Sequence, residues 1–171
     1  MPLIKNGEVV PEDWGYLSDE APLPSTGAVF VSLARWQAER DTLRGRNQPI
    51  GVVLPNDADP KAIADDLPHL SAIALVFPKY TDGRAYSQAR LLRERYGFSG
   101  QLRATGNVLR DQLLFMHRSG FDAYEIARPD AAEVFRAALA EMTLFHQPTG
   151  DGRATILQQR LARRLDNRSA A

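Results

Sequence analysis

The sequence predicts an α/β fold of about five β-α units around a mainly parallel sheet, with an N-terminal β-hairpin and a C-terminal helix. From Gly27 onward, short apolar runs alternate with amphipathic stretches, which is the pattern of repeated β-α units. Three of the runs are almost continuously apolar, as expected for parallel strands with helices on both faces. The strand order is left open between a flavodoxin-like sheet and an incomplete barrel.

The length of 171 residues fits one α/β domain over residues 1–150 and a helical tail over residues 151–171. Within the domain, Leu3–Lys5 and Glu8–Val10 flank the pair Asn6-Gly7, which tolerates the positive φ angles of a type I′ turn and so predicts a hairpin. Residues 11–27 are rich in proline and acidic side chains. They predict an irregular arm, anchored by Trp14 and Tyr16, that covers an edge or a face of the sheet.

The remaining elements follow in chain order. Five strands are predicted, the last of them weak: Ala28–Leu33, Ile50–Leu54, Ala72–Phe77, Gln101–Thr105 and Phe121–Ile126. The intervening helices are expected near Leu33–Leu43, Pro60–Leu67, Gly83–Tyr96, Val108–Arg118 and Asp130–Leu144. Breaker residues then precede a final helix from about Ala154 to Leu165.

Composition excludes several classes of function. Lys plus Arg and Asp plus Glu number 21 each, so no net field favours nucleic acid or an anionic membrane. The chain has no cysteine, and its three histidines are scattered, so we expect no metal site. It shows no dinucleotide or P-loop fingerprint, and the identity of any cofactor stays open. Neither a signal peptide nor a membrane span is evident, so we expect a cytoplasmic protein.

The two ends of the chain carry opposite charge. Residues 1–26 have a net charge of −4 and residues 152–171 a net charge of +4. The final helix has a narrow apolar stripe formed by Leu157, Leu161 and Leu165. Such a stripe fits a homodimer seam or a docking helix, and it fits a solvated tail equally well.

Two loops at the predicted carboxyl edge of the sheet carry unusual charge. In open parallel α/β sheets, ligands bind beyond the carboxyl ends of the strands. Asp82 and Asn107 are suited to cap the following helices, which places Arg84 and Arg110 in the first helical turns. A cation at that position is disfavoured by the helix dipole, so it calls for a compensating group.

An anionic ligand is one explanation for these arginines, and local pairing is the other. In the first, Lys79, Arg84, Arg103 and Arg110 converge with free N–H groups on a sulfate, phosphate or carboxylate. In the second, Asp82 and Asp111 neutralise the arginines as ordinary surface ion pairs. The complete candidate site comprises Lys79, Tyr80, Thr81, Asp82, Gly83, Arg84, Arg103, Gly106, Asn107, Arg110 and Asp111.

Four segments resemble a bacterial family known as domain of unknown function 934: Phe77–Arg93, Gly106–Gln112, Arg118–Asp122 and Phe145–Pro148. The resemblance extends over essentially the whole chain. It implies a setting in sulfur assimilation, because members commonly lie beside sulfite reductase genes, and some carry the label oxidoreductase. It implies no reaction and no catalytic residue.

Three hypotheses follow for the function. The first is an accessory protein of assimilatory sulfite reduction that binds an anion, a cofactor or the reductase at the loops described. The second is a small enzyme, conceivably an oxidoreductase, acting on an anionic metabolite, with Asp82 or Asp111 as general base and Lys79 or Tyr80 as acid. The third is a structural module that dimerises or docks through its C-terminal helix.

Overall fold

The structure, a computed structural model, describes residues 2–149 and 151–169, with side chains described through residue 162. Eight strands form a single sheet. Their bounds are β1 Leu3–Lys5, β2 Glu8–Val10, β3 Trp14–Tyr16, β4 Ala28–Ser32, β5 Ile50–Leu54, β6 Ala72–Phe77, β7 Gln101–Gly106 and β8 Ala123–Glu125. The spatial order is β2-β1-β8-β7-β6-β5-β4-β3. Strands β3 to β8 are parallel neighbours in chain order, while β1 and β2 pair antiparallel at one edge.

This order favours an incomplete barrel over a flavodoxin-like sheet, because a flavodoxin-like sheet reverses its strand order near the middle. The chain also shows that the sheet curls. Strands β2 and β3 lie at opposite edges, yet only residues 11–13 separate them. Four steps between consecutive Cα atoms span at most about 15 Å, whereas a flat eight-stranded sheet would hold its outer strands about 34 Å apart.

Several helical segments are shorter or less regular than the sequence predicts, whereas Pro60–His69 and Ile156–Ser169 are longer. They are α1 Leu33–Ala38, α2 Arg40–Arg44, a 3₁₀ segment Pro60–His69, α3 Arg84–Arg90 continued by a π turn Leu91–Arg95, a 3₁₀ turn Arg110–Gln112, α4 Leu113–Arg118, α5 Ala131–Ala140 and α6 Ile156–Ser169. The expected helix over residues 60–67 is therefore a 3₁₀ segment with Pro68 inside it. The connections are thus not five regular β-α units.

The helices pack on one face of the sheet only, which corrects the expectation of helices on both faces. Buried side chains from α1, α3, α4 and α5 share a core with alternate residues of the strands, including Val31, Ile73 and Leu75. The opposite face, here called the inner face, carries a separate small cluster around Phe30, Ala72 and Ala74 without any helical residue. Parallel strands joined in sequential order send every right-handed crossover to the same side, which explains the asymmetry.

The N-terminal hairpin is confirmed. Asn6 and Gly7 have φ angles of 53° and 87°, and Lys5 pairs with Glu8 across the turn. The segment after it is not an irregular arm throughout, because Trp14–Tyr16 forms edge strand β3. The Trp14 ring packs on Phe30 at a tilt and the Tyr16 ring stacks on it, with ring centroids 4.6 Å and 5.0 Å away.

Helix α6 begins with a capping box that the sequence analysis did not identify. The Thr155 N–H donates to Gln158 Oε1, and the Gln158 N–H donates to Thr155 Oγ1. Leu157 and Leu161 are 67% and 50% exposed. The side chain of Leu165, the third residue of the expected stripe, lies outside the described residues. Within residues 2–149 and 151–169, no helix combines the length and hydropathy needed to span a bilayer.

Candidate functional site

The carboxyl ends of β6 and β7 bring most of the candidate residues together. These strands pair in register up to Phe77 and Gly106, so the loops that follow them start side by side. Gln112 Nε2 donates to the Tyr80 carbonyl over 2.8 Å and links the two loops. We call residues 78–84 and 106–112 the rim loops. The predicted meeting of these loops is therefore observed.

Within the rim loops, Arg84 is held by Asp82. Its Nε donates to Asp82 Oδ1 at 3.0 Å and its Nη2 to Oδ2 at 2.7 Å, while its backbone N–H also donates to Oδ1. Asn56 Nδ2 is a fourth donor to this carboxylate, at 2.6 Å from Oδ2. Hydrogen bonding to Arg84 lowers the pKa of Asp82 from 3.8 to about 2. A carboxylate so stabilised in its ionised form is a poor general base, which disfavours Asp82 in that role.

Arg110 is also paired, and the cap assigned to Asn107 is wrong. Arg110 Nη1 lies 3.3 Å from a carboxylate oxygen of Glu141 on the last turn of α5, and both side chains are about half exposed. The helical turn begins at Arg110, behind Leu109, without a side-chain cap. Asn107 instead donates its backbone N–H to the Phe77 carbonyl over 2.8 Å. The reason is that Gly106, with φ of 89°, turns the chain back over the end of β6.

Arg103 lies apart from the other candidate cations. Strand β7 alternates, so Leu102 and Ala104 face the helices and Arg103 faces the inner side, where its side chain is fully buried. Its Nη1 donates to Glu12 at 2.8 Å and to Glu125 at 3.2 Å. Its guanidinium carbon lies 4.9 Å from the centre of the Phe30 ring. With two carboxylates on one cation, this group adds no net positive charge for a ligand at the rim loops.

The partners of Arg103 form a polar cluster that the sequence analysis missed. Tyr16 donates its hydroxyl to Glu125 Oε1 at 2.5 Å, and Thr105 donates to Glu125 Oε2 at 2.6 Å. Burial, followed by the hydrogen bond to Glu125, raises the pKa of Tyr16 well above its ordinary value. The alternation of β7 places Arg103 and Thr105 on one face and was a usable signal, but Glu12 and Tyr16 come from a segment interpreted as an arm.

The surface of the rim loops is apolar as well as charged. Tyr80 is 62% exposed and Phe115 is 54% exposed, and Leu109 is exposed beside them. Gln112 places these side chains in one neighbourhood, since it bonds to the Tyr80 carbonyl, follows Leu109 within one turn and precedes Phe115 by one turn. We call Tyr80, Leu109 and Phe115 the rim patch. Lys79, Thr81, Gly83 and Asp111 are exposed around it.

Other residues of the resembling segments hold the fold together. Arg93 Nη2 bonds to Asp122 at 3.0 Å, and its other nitrogens donate to three backbone carbonyls. Arg118 lies over the Phe145 ring at 3.8 Å and donates to the Gln147 carbonyl. Arg93 therefore joins the segment Phe77–Arg93 to Arg118–Asp122, and Arg118 joins the latter to Phe145–Pro148. Within the described part of the chain, no group of three or more His, Asp or Glu residues is arranged to hold a metal ion.

Sequence comparison relates the chain to a family but to no curated protein. Among curated proteins, none gives a significant match to the chain. A family model described as bacterial protein of unknown function (DUF934) matches residues 51–157, which include the rim loops, Arg103 and the arginine contacts. Because the match extends over more than half of the 171 residues, the chain belongs to the DUF934 family of bacterial proteins.

Proposed function

We propose that the protein is an accessory factor of assimilatory sulfite reduction that binds the reductase through the rim loops. The resemblance of the sequence to a family whose members lie near sulfite reductase genes supports the pathway. The exposure of the rim patch is the observation that supports binding to a protein partner. The proposal includes a cytoplasmic location, where such a partner would be encountered.

The charges of the rim loops favour a protein partner over a small anion. Arg84 and Arg110 already pair with carboxylates, so their charge is partly compensated and an anion would compete with Asp82 or Glu141 for it. The apolar side chains Tyr80 and Phe115 point into solvent instead. Protein interfaces commonly combine exposed aromatic residues at the centre with charged groups around them. The rim patch with its surrounding ion pairs has that composition.

Growth of a strain lacking the gene tests the pathway. We expect the strain to grow on sulfide but to fail on sulfate and on sulfite as the only sulfur source, and the intact gene on a plasmid to restore growth. This pattern assigns the defect to the reduction of sulfite, because sulfide is its product. Equal growth on all three sources would contradict the proposal.

Substitutions in the rim patch test the surface. In the complementing gene, the double variant Tyr80→Ser, Phe115→Ser should lose both complementation and co-purification with the reductase. The double variant Leu157→Ser, Leu161→Ser is the matched control, because it removes the same kind of exposed apolar area from α6. If the α6 variant failed while the rim variant worked, the C-terminal helix would be the docking element and the assignment to the rim would be wrong.

A further inference from the structure

A cavity of about 570 Å³ lies where the hairpin turn, the end of α4 and helix α5 meet. It is bounded by the hairpin turn at Asn6 and Gly7, by the start of β8 and by helix α5. Pockets of 300–1,000 Å³ accommodate small organic ligands. The cavity is separate from every residue on which the proposed function rests.

The walls of the cavity are largely apolar. The rings of Tyr124 and Phe135 pack with centroids 4.8 Å apart and form one side, and Leu139 and Ala140 continue the wall along α5. The hairpin turn lies against this wall, since a Cβ atom at Gly7 would be in ordinary van der Waals contact with the Phe135 ring at 3.8 Å. The space is therefore shaped by aromatic and aliphatic groups, which suit a ligand with an apolar body.

The polar groups inside the cavity are mostly occupied. Tyr124 donates its hydroxyl to the Phe121 carbonyl at 2.7 Å and lies 3.3 Å from His117 Nδ1. The carboxylate of Asp122 accepts from the Leu102 N–H and from Arg93. Burial lowers the pKa of His117 and so favours its neutral imidazole, in which one ring nitrogen donates and the other accepts a hydrogen bond.

Arg136 supplies a cationic group at the wall of the cavity. It lines the cavity from an exposed position on α5. The ion pairs among the described residues give it no carboxylate partner, whereas the carboxylate of Asp122 is neutralised by Arg93 at 3.0 Å. A guanidinium beside an apolar cavity favours a ligand with one anionic group at the end of an apolar body.

We propose that this cavity binds a small amphipathic monoanion, a carboxylate or sulfonate with an aromatic or short aliphatic body. The anionic group pairs with Arg136, and the body lies against Tyr124, Phe135 and Leu139. The site needs no contact with the rim loops. It is thus a second binding site, and it stands whether or not the protein binds a reductase.

Naphthalene-2-sulfonate is a suitable probe, with the neutral naphthalene-2-methanol as its matched control. By titration calorimetry on the full chain, we expect one sulfonate to bind per protein and the alcohol to bind at least tenfold more weakly. In a ¹⁵N–¹H spectrum, the imidazole signals of His117 should shift on addition of the sulfonate. No binding at millimolar concentrations, or equal binding of both probes, would overturn the proposal.

Two variants locate the site. Arg136→Gln removes the cation from an exposed position and should weaken sulfonate binding at least tenfold. Ala140→Phe fills the cavity from another exposed position and should abolish the binding of both probes. The rim variant Tyr80→Ser is the control and should bind as the wild type does. Unchanged affinity in either Arg136→Gln or Ala140→Phe would show that the probe binds elsewhere and would refute the site.

Discussion

The helix-covered face of the sheet, here called the outer face, is buried by apolar side chains from the helices between α1 and α5. The inner face instead holds Phe30 with Trp14 and Tyr16 packed on it, two alanines and a buried ion cluster. On the outer side, Leu75 and its neighbours are completely buried among apolar groups. On the inner side, Arg103 is equally buried but makes its contacts with Glu12, Glu125 and Phe30. The sheet is thus stabilised by the packing of apolar side chains on one face and by ion pairs on the other.

This difference follows from the sequential order of the strands. Crossovers on a single side leave the inner face without helices, so its cover must come from the curl of the sheet and from the N-terminal segment. Glu12 and Tyr16 supply that cover, and both bond to the cluster around Arg103. The lesson is that a face with little apolar area can be closed by a few directional contacts, provided that each charge has a partner.

Among the substitutions considered, the replacement of Arg103 should reduce the free energy of unfolding most. Arg103→Ala leaves Glu125 buried without its cation, and we expect a loss of about 3–5 kcal/mol in the free energy of unfolding, measured by urea denaturation at pH 7. Arg103→Lys should not rescue, because both carboxylates contact Nη1 at the far end of the side chain, and a lysine side chain is one bond shorter and lacks the planar group that lies over Phe30. Arg110→Ala is the control, since its pair with Glu141 is exposed and should contribute less than about 1 kcal/mol. Equal losses at Arg103 and Arg110 would contradict this account.

Leu75 provides the corresponding test on the outer face. Leu75→Ala creates a cavity in a fully buried site and should cost about 3 kcal/mol in the same urea experiment. Leu75→Met keeps the volume and should cost less than about 1.5 kcal/mol. A conservative replacement is therefore expected to cost little stability on the outer face and much more on the inner face. If Leu75→Met and Arg103→Lys behaved alike, the distinction between volume and charge would not hold.

The smallest effect is expected at the rim loops, where charge is exposed. The pKa of Asp82 is lowered from 3.8 to about 2, mainly by hydrogen bonds from Arg84. The folded state therefore binds this proton less readily than the unfolded state, so the stabilisation is present above about pH 4 and is lost as the pH falls towards 2. NMR titration should show the pKa of Asp82 moving back towards 3.8 in Arg84→Gln. A pKa that stayed near 2 in this variant would assign the shift to Asn56 or the backbone instead.

The sequence predicts the parts of this molecule that depend on local pattern. The pair Asn6-Gly7 predicts its hairpin because few other residues accept two positive φ angles in succession. Continuous apolar runs predict β4, β5 and β6 to within a residue or so, because both faces of these strands are buried. The loops after β6 and β7 are predicted to meet because the carboxyl ends of neighbouring parallel strands share an edge.

What the sequence does not predict depends on contacts between distant residues. Trp14–Tyr16 is a strand because it pairs with β4. The proline and acidic residues around it are typical of a loop, so the local sequence does not indicate this pairing. The pairing of Arg103 with Glu12 needs the curl of the sheet, which no local pattern encodes. The pairing of Arg110 with Glu141 likewise joins two elements that are separate in the chain. The local charge pattern therefore identified Asp82 as a partner of Arg84, but it did not identify Glu141 as the partner of Arg110.

The three-residue link between β2 and β3 has a consequence for association between molecules. A free sheet edge exposes unpaired N–H and C=O groups that can recruit a strand from another chain. Here both edge positions are occupied by strands of only three residues from the same N-terminal segment. Detachment of that one segment would expose the edges of β8 and β4 together. A single local opening would therefore create two strand edges that can pair with other chains. Resistance to aggregation in this protein therefore depends on how firmly its first sixteen residues are held.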